Sequence, residues 1–394
     1  MSIFASSRRI GAFALAAAFA VGACSGSATP TPAASAAASA AAAASTAPGG
    51  TSITYRCSKG DGQLNGAGAT FPFPLYSKWG GDYNAKCGVK LNYQSIGSGG
   101  GVKGWQQNTV DFGASDAFLK DSEIAAAAAN GVPVEIPVVF GAVVVAYNLK
   151  GLPAPLKMTS AIVAGIFDGT ITSWNDSTIA AANPGVTLPS TAVSVVHRSD
   201  GSGTTSIFTT YLTKASPQWV TAVGKGDATK SAGKTVEWPA GQGASGNEGV
   251  TQGINQTDGG VGYIELTYAL ANKIPFADVQ NKAGTFITPS LDSVVAAATL
   301  PSYPADLRFD LANTDAANGY PITGSSWLIV YKDLSKVMKS EDRAKALVDF
   351  LWWGIHEGQA DNAALFYGSI PGSLLAQDEA AVKSINWAGA PLLP

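Results

Sequence analysis

A long apolar run at residues 132–149, VPVEIPVVFGAVVVAYNL, limits the possible folds more than any other part of the sequence. Its many valines favour strands over a helix, and Pro137 and Gly141 interrupt it. We interpret it as two strands joined end to end, as in a chain that crosses between two domains. A second apolar run, YPITGSSWLIVYKD at 320–333, predicts a second crossing. Two crossings indicate two lobes with a cleft between them.

The rest of the sequence alternates between strand and helix patterns. Strands are predicted at 89–96, 109–115 and 191–197, and helices at 100–108, from Thr204 onward and at 340–358. This alternation predicts α/β layers with a mainly parallel sheet in each lobe. A chain of 394 residues is long enough for two cores. The predicted boundaries are 53–139 and 320–394 for the first lobe and 140–319 for the second.

The first 24 residues predict export. Arg8 and Arg9 precede an apolar run, Ile10 to Val21, that is too short to span a membrane but typical of a signal peptide. The run ends in VGAC, which resembles a bacterial lipobox with Cys24 as the acylated residue; a plain secretory signal is the alternative. Residues 25–52 contain only small residues and proline, which predicts a disordered tether. We therefore expect an extracytoplasmic protein, lipid-anchored to the cell membrane.

The remaining cysteines and the net charge narrow the choices further. If Cys24 carries lipid, Cys57 and Cys87 remain as a pair, which in an exported protein suggests a disulfide, with two free buried thiols as the alternative. The net charge of −3, with no basic stretch, argues against a nucleic-acid-binding protein. We expect a monomer.

Three loops of small and hydroxyl residues each lead into a predicted helix. GAGATFPFPLYSKW (66–79) places Thr70 ahead of Pro72, and IGSGGGVKGW (96–105) places Ser98 between a strand and a helix. DGSGTTSIFTTYL (200–212) places Ser202 and Thr204 before an apolar helical pattern. Ordinary N-capping explains any one of these loops. Three together favour a shared anion site, because helix N-termini present unpaired N–H groups and the positive end of the dipole.

Two charged residues give this predicted site its chemistry. Arg198 would supply a planar fork for two oxygens of an oxyanion, and Asp200 could hold the guanidinium in position. Asp116 follows a predicted strand, where a turn or cap aspartate is the simple interpretation. Alternatively, Asp116 accepts a proton that the anion carries. Phosphate keeps a proton near neutral pH and sulfate does not, so one aspartate could discriminate between the two.

Other functions have weaker support in the sequence. Gly99-x-Gly101-x-x-Gly104 matches the dinucleotide fingerprint, but an exported protein has no ready supply of such a cofactor, and GKT at 233–235 lacks the first glycine of a P-loop. A phosphomonoesterase with Ser202 or Thr204 as nucleophile would need an activating base or metal. The chain has only two histidines, His197 and His356, and no visible metal-ligand cluster. We therefore expect a binding protein without cofactor, metal or enzymatic activity, with a sulfate-like oxyanion as the alternative ligand.

The quoted segments resemble the extracytoplasmic phosphate-binding proteins, the PstS family, of Pst-type phosphate ABC transporters. The resemblance runs from GAGATFPFPLYSKW through NYQSIGSGGGVKGWQQNTVDFGASDAFL, GIFDGTITSWND and VVHRSDGSGTTSIFTTYL to GVGYIELTYA and YPITGSSWLIVYKD. It implies a two-lobed periplasmic-binding-protein-like fold of type II that closes around phosphate, and a membrane permease and ATPase as partners. The phosphate-binding residues that it implies are Thr70, Phe71, Ser98, Asp116, Arg198, Ser202, Gly203 and Thr204. Gly99 departs from the family, where many relatives have a second serine.

Overall fold

The computed structural model describes residues 55–152 and 155–393, so the predicted signal peptide, Cys24 and the tether lie outside it. The strands are β1 Gln63–Gly68, β2 Lys90–Ser95, β3 Phe112–Ser115, β4 Pro133–Tyr147, β5 Lys157–Met158, β6 Ser194–Arg198, β7 Gln242–Ala244, β8 Gly260–Glu265, β9 Asp278–Gln280, β10 Phe286–Ile287, β11 Thr323–Tyr331, β12 Asn386–Trp387 and β13 Ala390–Pro391. The helices are α1 Phe73–Cys87, α2 Ser98–Gln106, α3 Asp121–Ala126, α4 Ser160–Phe167, α5 Ser177–Ala182, α6 Gly203–Ala215, α7 Pro217–Ala222, α8 Gly246–Gln256, α9 Leu266–Ala271, α10 Leu291–Ala298, α11 Glu341–Ile355 and α12 Gly372–Lys383.

One eight-stranded sheet, with the order β2-β1-β3-β11-β4-β8-β6-β7, runs through the molecule. Its outer parts are parallel, as predicted: β1 pairs in parallel with β2 and β3, and β6 with β7 and β8. The two apolar crossings, β4 and β11, pair antiparallel with each other and with their neighbours. The fold is thus α/β with two parallel regions joined by an antiparallel centre.

The first crossing is a single continuous strand, β4, rather than two strands joined end to end. Its first part, Pro133 to Ala142, pairs with β11, and its second part, Val143 to Tyr147, pairs with β8. Pro137 has no N–H to donate, and it lies beside a register shift in the β4–β11 ladder, which is where a strand tolerates proline. The change of partner divides the sheet between the lobes.

We use lobe I for the elements on β2-β1-β3-β11 and the first part of β4, and lobe II for those on the second part of β4 with β8-β6-β7. The predicted lobe boundaries stay predictions. In lobe I, Leu75, Trp79 and Tyr83 follow one another at four-residue spacing on α1, and all three are buried. In lobe II, α6 buries Phe208 and Leu212 in the same way.

The chain is fixed at the start of the described residues by two sets of contacts. Cys57 and Cys87 form a disulfide, which joins the segment before β1 to the end of α1. The N–H groups of Arg56 and Ser58 donate to the carboxylate of Asp349 in α11, at 3.3 and 2.8 Å. The first residues of the folded region are therefore held against two helices of lobe I.

Candidate functional site

The three predicted loops meet in the cleft, where strands of both lobes end. Thr70 and Phe71 lie between β1 and α1, Ser98 begins α2, and Gly203 begins α6. Ser98 and Gly203 are in direct contact across the cleft, because the Gly203 N–H donates to Ser98 Oγ at 3.0 Å. The Gly99 N–H also donates to the Gly201 carbonyl at 2.8 Å. The structure therefore brings the loops of lobe I against the loop of lobe II.

Arg198 ends β6, and its guanidinium is fixed from two sides. It is 4% exposed, and it donates from Nε to Asp200 Oδ1 at 2.7 Å and from Nη2 to Asp200 Oδ2. Its Nη1 donates to Thr204 Oγ1 at 3.3 Å. Burial raises the pKa of Asp200, but the arginine opposes this effect, and the pKa of that carboxyl is lowered overall. Asp200 thus orients the fork of Arg198, as the sequence predicted.

Three hydroxyl groups of the site already accept two hydrogen bonds each. Thr70 Oγ1 accepts from the backbone N–H and the Nδ2 of Asn247, at 3.1 and 2.8 Å. Thr204 Oγ1 accepts from Arg198 Nη1 and from Asn247 Nδ2, and Ser98 Oγ accepts from the N–H groups of Asp116 and Gly203. Since a hydroxyl has two lone pairs and one hydrogen, each can serve a ligand only as a donor. Such a set suits an anion.

Asp116 is the exception in this set of donors. It follows β3, is 3% exposed, and its Oδ1 contacts no hydrogen-bond partner among the described residues. Its Oδ2 lies 3.4 Å from Ser98 Oγ. Burial raises the pKa of Asp116 to about 7, although the nearby Ser326 hydroxyl, the charge of Arg198 and Ser98 favour the ionised form. The unpartnered oxygen can accept a proton that a ligand donates.

Gly203 and Ser202 show why small residues occupy the third loop. A Cβ on Gly203 would lie 2.5 Å from Asp116 Cβ and from Ser98 Oγ, so any side chain there would collide with lobe I. Ser202 is the N-cap of α6, and its hydroxyl accepts from the Thr205 N–H at 3.0 Å. The capping interpretation is thus correct for Ser202, and it is compatible with a site at the same helix start.

Sequence reasoning missed Asn247. It lies in the first turn of α8, is fully buried, and its Nδ2 donates to Thr70 in lobe I and to Thr204 in lobe II. The Glu265 N–H donates to Asn247 Oδ1 at 2.9 Å, which fixes the orientation of the amide. The segment GASGNEGV (243–250) has the same pattern of small residues before a helix as the other three loops, and this signal could have identified it.

Phe71 contributes to the core through its ring and to the site through its backbone carbonyl, and the residue pattern alone indicated only the first role. Its ring is buried and packs against Gly141 of β4, where a Cβ would lie 2.6 Å from the ring. Its carbonyl accepts a hydrogen bond from the Tyr367 hydroxyl at 2.7 Å, and the Thr70 carbonyl accepts one from Tyr268 at 2.6 Å. Two tyrosine hydroxyls therefore occupy the carbonyl oxygens of Thr70 and Phe71, so these acceptors do not face an anion in the cleft.

Two further observations bear on the class of protein. Among residues 55–152 and 155–393, no group of three or more His, Cys, Asp or Glu side chains is arranged to hold a metal ion. Within the same part of the chain, no helix is long and apolar enough to cross a membrane.

His197 is a half-buried residue of β6, and its ring stacks on Trp238 at 5.0 Å between centroids.

Comparisons with known proteins identify the family of this chain. A PBP superfamily domain matches residues 24–352. The phosphate-binding protein PstS of Xylella fastidiosa is 41% identical over 321 residues, which cover 81% of this chain and 84% of that protein. The chain belongs to the PstS family of phosphate-binding proteins. Another member, phosphate-binding protein PstS 3 of Mycobacterium leprae, is 33% identical and is covered over 86% of its length.

Solved structures show the same fold. A high-affinity periplasmic phosphate-binding protein (PfluDING), solved with phosphate, matches with a TM-score of 0.64 and 21% identity over 81% of this chain and 93% of that chain. A putative phosphate ABC transporter substrate-binding protein from Clostridium perfringens, also with bound phosphate, matches with a TM-score of 0.55 and 15% identity over 78% of this chain and all of that chain. The two-lobed PBP-like fold predicted from the sequence is confirmed.

Proposed function

We propose that this protein is an extracytoplasmic receptor that binds inorganic phosphate between its lobes and delivers it to the permease of an ABC transporter. The observation that carries the proposal is the environment of Asp116. Its unpartnered buried oxygen lies among groups that can only donate, which suits an anion that carries one proton. The family to which the chain belongs supports the same ligand.

The remaining groups of the site would hold the other phosphate oxygens. Arg198 supplies the charge and the hydroxyls of Thr70 and Thr204 donate, while Ser98 would share its hydroxyl hydrogen between the ligand and Asp116 Oδ2. The N-terminus of α6, which begins at Gly203, would present backbone N–H groups to the ligand. Ser202 caps this helix, and Phe71 belongs to the first loop, next to Thr70. In a buried site such charge-assisted hydrogen bonds are strong, because water does not compete for them.

Selectivity would follow from the one acceptor. Monohydrogen phosphate can donate its proton to Asp116, whereas sulfate has no proton and would place an oxygen lone pair against a buried carboxylate. A buried polar group without a partner costs roughly 1 to 3 kcal/mol, and more when it is charged. The site therefore favours phosphate over sulfate.

The proposal extends to the location and working cycle of the protein. Signal peptide 1–24, acylation of Cys24 and the tether 25–52 would anchor the receptor outside the cytoplasm as a monomer, within reach of the permease and its ATPase. Binding would close the two lobes, with boundaries near residues 139 and 320. The named relatives are binding proteins, and we propose binding without catalysis for this chain as well.

Calorimetric titration of the purified protein tests the ligand and the role of Asp116. Bound ligand is first removed by unfolding and refolding, and phosphate and sulfate are then titrated into wild type, Asp116→Asn and the control Asp315→Asn, an exposed residue paired with Lys282. We expect wild type and control to bind phosphate alone, and Asp116→Asn to lose about tenfold or more of the discrimination. Absence of phosphate binding by wild type, or turnover of a phosphate ester, would contradict the proposal.

A further inference from the structure

Glu265 is a fully buried carboxyl group at the end of β8, beside the site but outside the set of residues that face the ligand. It is the N-cap of α9, and its Oε2 accepts from the Thr267 N–H at 2.9 Å. Its Oε2 also lies 3.0 Å from the Tyr367 hydroxyl, and its Oε1 lies 3.3 Å from the Thr267 hydroxyl. These contacts connect it to the first loop.

The hydroxyl groups next to Glu265 have too few hydrogens to explain all of its hydrogen-bond contacts. The Tyr367 hydroxyl has one hydrogen, and the Phe71 carbonyl, which can only accept, lies 2.7 Å from it. The Thr267 hydroxyl also has one hydrogen, and the Leu365 carbonyl lies 2.6 Å from it. Both hydroxyl hydrogens are therefore used by carbonyls. The short contact between Tyr367 and Glu265 Oε2 then needs a hydrogen from the carboxyl group itself.

We propose that Glu265 is a neutral carboxylic acid in the phosphate-binding form, and that its proton holds Tyr367 and the first loop in position for the ligand. This inference rests on the proposed function. Glu265 acts on both sides of the cleft: through Tyr367 it fixes the Phe71 carbonyl, and through its backbone N–H it fixes Asn247. It is a positioning residue, since it reaches the site through these two neighbours.

The electrostatic surroundings support a neutral form. Burial raises the pKa of Glu265 to about 8 and the charge of Asp116 raises it further, while the Thr267 N–H favours the ionised form. Three titratable groups surround Glu265: Tyr367, Tyr268 on α9 and Asp116 after β3. Two further charges, Glu248 of α8 and Arg198, influence the pKa of Tyr268. A neutral acid also adds no negative charge beside an anion site.

The consequence is a loss of phosphate affinity at alkaline pH. The phosphate-bound form needs the Glu265 proton, so the contribution of Glu265 to affinity is complete below its pKa in the free protein and is lost as pH rises through it. We expect affinity to fall about tenfold for each pH unit above about 8. Phosphate itself passes from the dihydrogen to the monohydrogen form near neutral pH, and every variant experiences this change of ligand equally, so the comparison between variants isolates the titration of Glu265.

Titrations of the full chain with inorganic phosphate from about pH 7 to about pH 9.5 test this inference. We expect wild type to lose affinity above about pH 8, and Glu265→Gln to bind within about threefold of wild type at pH 7 but without this alkaline loss, because its amide donates in place of the acid. Glu265→Ala should bind weakly at every pH. The control is Asp378→Asn on α12, a fully buried carboxyl group whose pKa is raised by burial and which contacts no hydrogen-bond partner among the described residues.

The outcomes separate the inference from the proposed function. If wild type does not bind phosphate at neutral pH, the proposed function fails. If it binds but its affinity is constant up to pH 9.5, or if Glu265→Gln follows the wild-type profile, the inference is overturned. Infrared difference spectra between neutral and alkaline pH give a readout that does not depend on binding. The carbonyl band of a protonated carboxyl group should be present in wild type and reduced in Glu265→Gln, and an unchanged band would contradict the inference.

Discussion

At the scale of single residues, the site depends on close contacts between lobes that leave no room for extra atoms. Gly203 of α6 fits against Asp116 and Ser98 only because it has no Cβ. The contact joins lobe II to lobe I, so it exists only when the lobes are together. A change at this position therefore acts on the closed form and leaves each lobe intact.

Gly203→Ala is expected to weaken phosphate binding by about ten- to hundredfold, because overpacking of this kind costs roughly 1 to 3 kcal/mol. Titration calorimetry measures the affinity, and thermal unfolding without phosphate should be unchanged. The matched control is Gly81→Ala in α1, where a Cβ meets open space and alanine favours the helix. Equal affinities for Gly203→Ala and wild type would show that the lobes do not close as described.

The sequence identified some site residues and missed others for physical reasons. Asp116 and Arg198 each follow or end a short strand and precede a turn, so their place at the sheet edge could be predicted. Glu265 also ends a strand, but its contacts with Tyr367 join positions 102 residues apart. Asn247 meets Thr70 across 177 residues. Such long-range contacts leave no local pattern, so only the folded chain reveals them.

At the scale of elements, helix α3 of lobe I and the segment before β7 in lobe II form a second contact across the cleft. Lys234 Nζ lies 2.6 Å from Glu123 Oε1, and both side chains are largely buried. Glu123 Oε2 already accepts from the Lys120 N–H at 2.9 Å, so the start of its own helix orients the carboxylate. The Lys234 carbonyl accepts from the Ser202 N–H at 2.8 Å. Lys234 therefore links the ion pair across the cleft to the third loop, through its side chain and its carbonyl respectively.

Lys234→Met should speed phosphate release about five- to tenfold with little change in association, since the ion pair stabilises only the closed form. Glu123→Gln should have the same effect, and the double variant should add nothing further. Stopped-flow dissociation kinetics measure this. Lys225→Met is the control, because its pair with Glu237 lies within lobe II and is exposed. Additive effects of the two single changes would argue against a shared contact.

The order of elements was predictable, but the pairing of the crossings was not. Alternating strand and helix patterns located β2, β3, β6, α6 and α11 within a few residues. The run at 132–149 was interpreted as two strands because proline and glycine usually end a strand. In the structure, β11 accommodates Pro137 through a register shift, and Phe71 fills the space that Gly141 leaves. β11 and Phe71 are both distant in sequence from the run at 132–149, so the run alone does not predict that it forms one strand.

At the scale of the whole molecule, β4 and β11 link the lobes, and all of β11 is paired with the first part of β4, Pro133 to Ala142. A cleft closed by rotation about these strands should give a more compact particle when phosphate binds. Small-angle scattering with and without phosphate should show a smaller radius of gyration for wild type and a smaller change for Gly203→Ala. Sulfate serves as the control ligand. Superimposable wild-type profiles would rule out closure by domain rotation.

The disulfide between Cys57 and Cys87 has a mechanical consequence. Any force applied to the chain before Tyr55 passes into the end of α1 through the covalent bond, and into α11 through Asp349. The load therefore reaches two packed helices before it reaches β1. A receptor held by its N-terminus could therefore be pulled without opening its sheet.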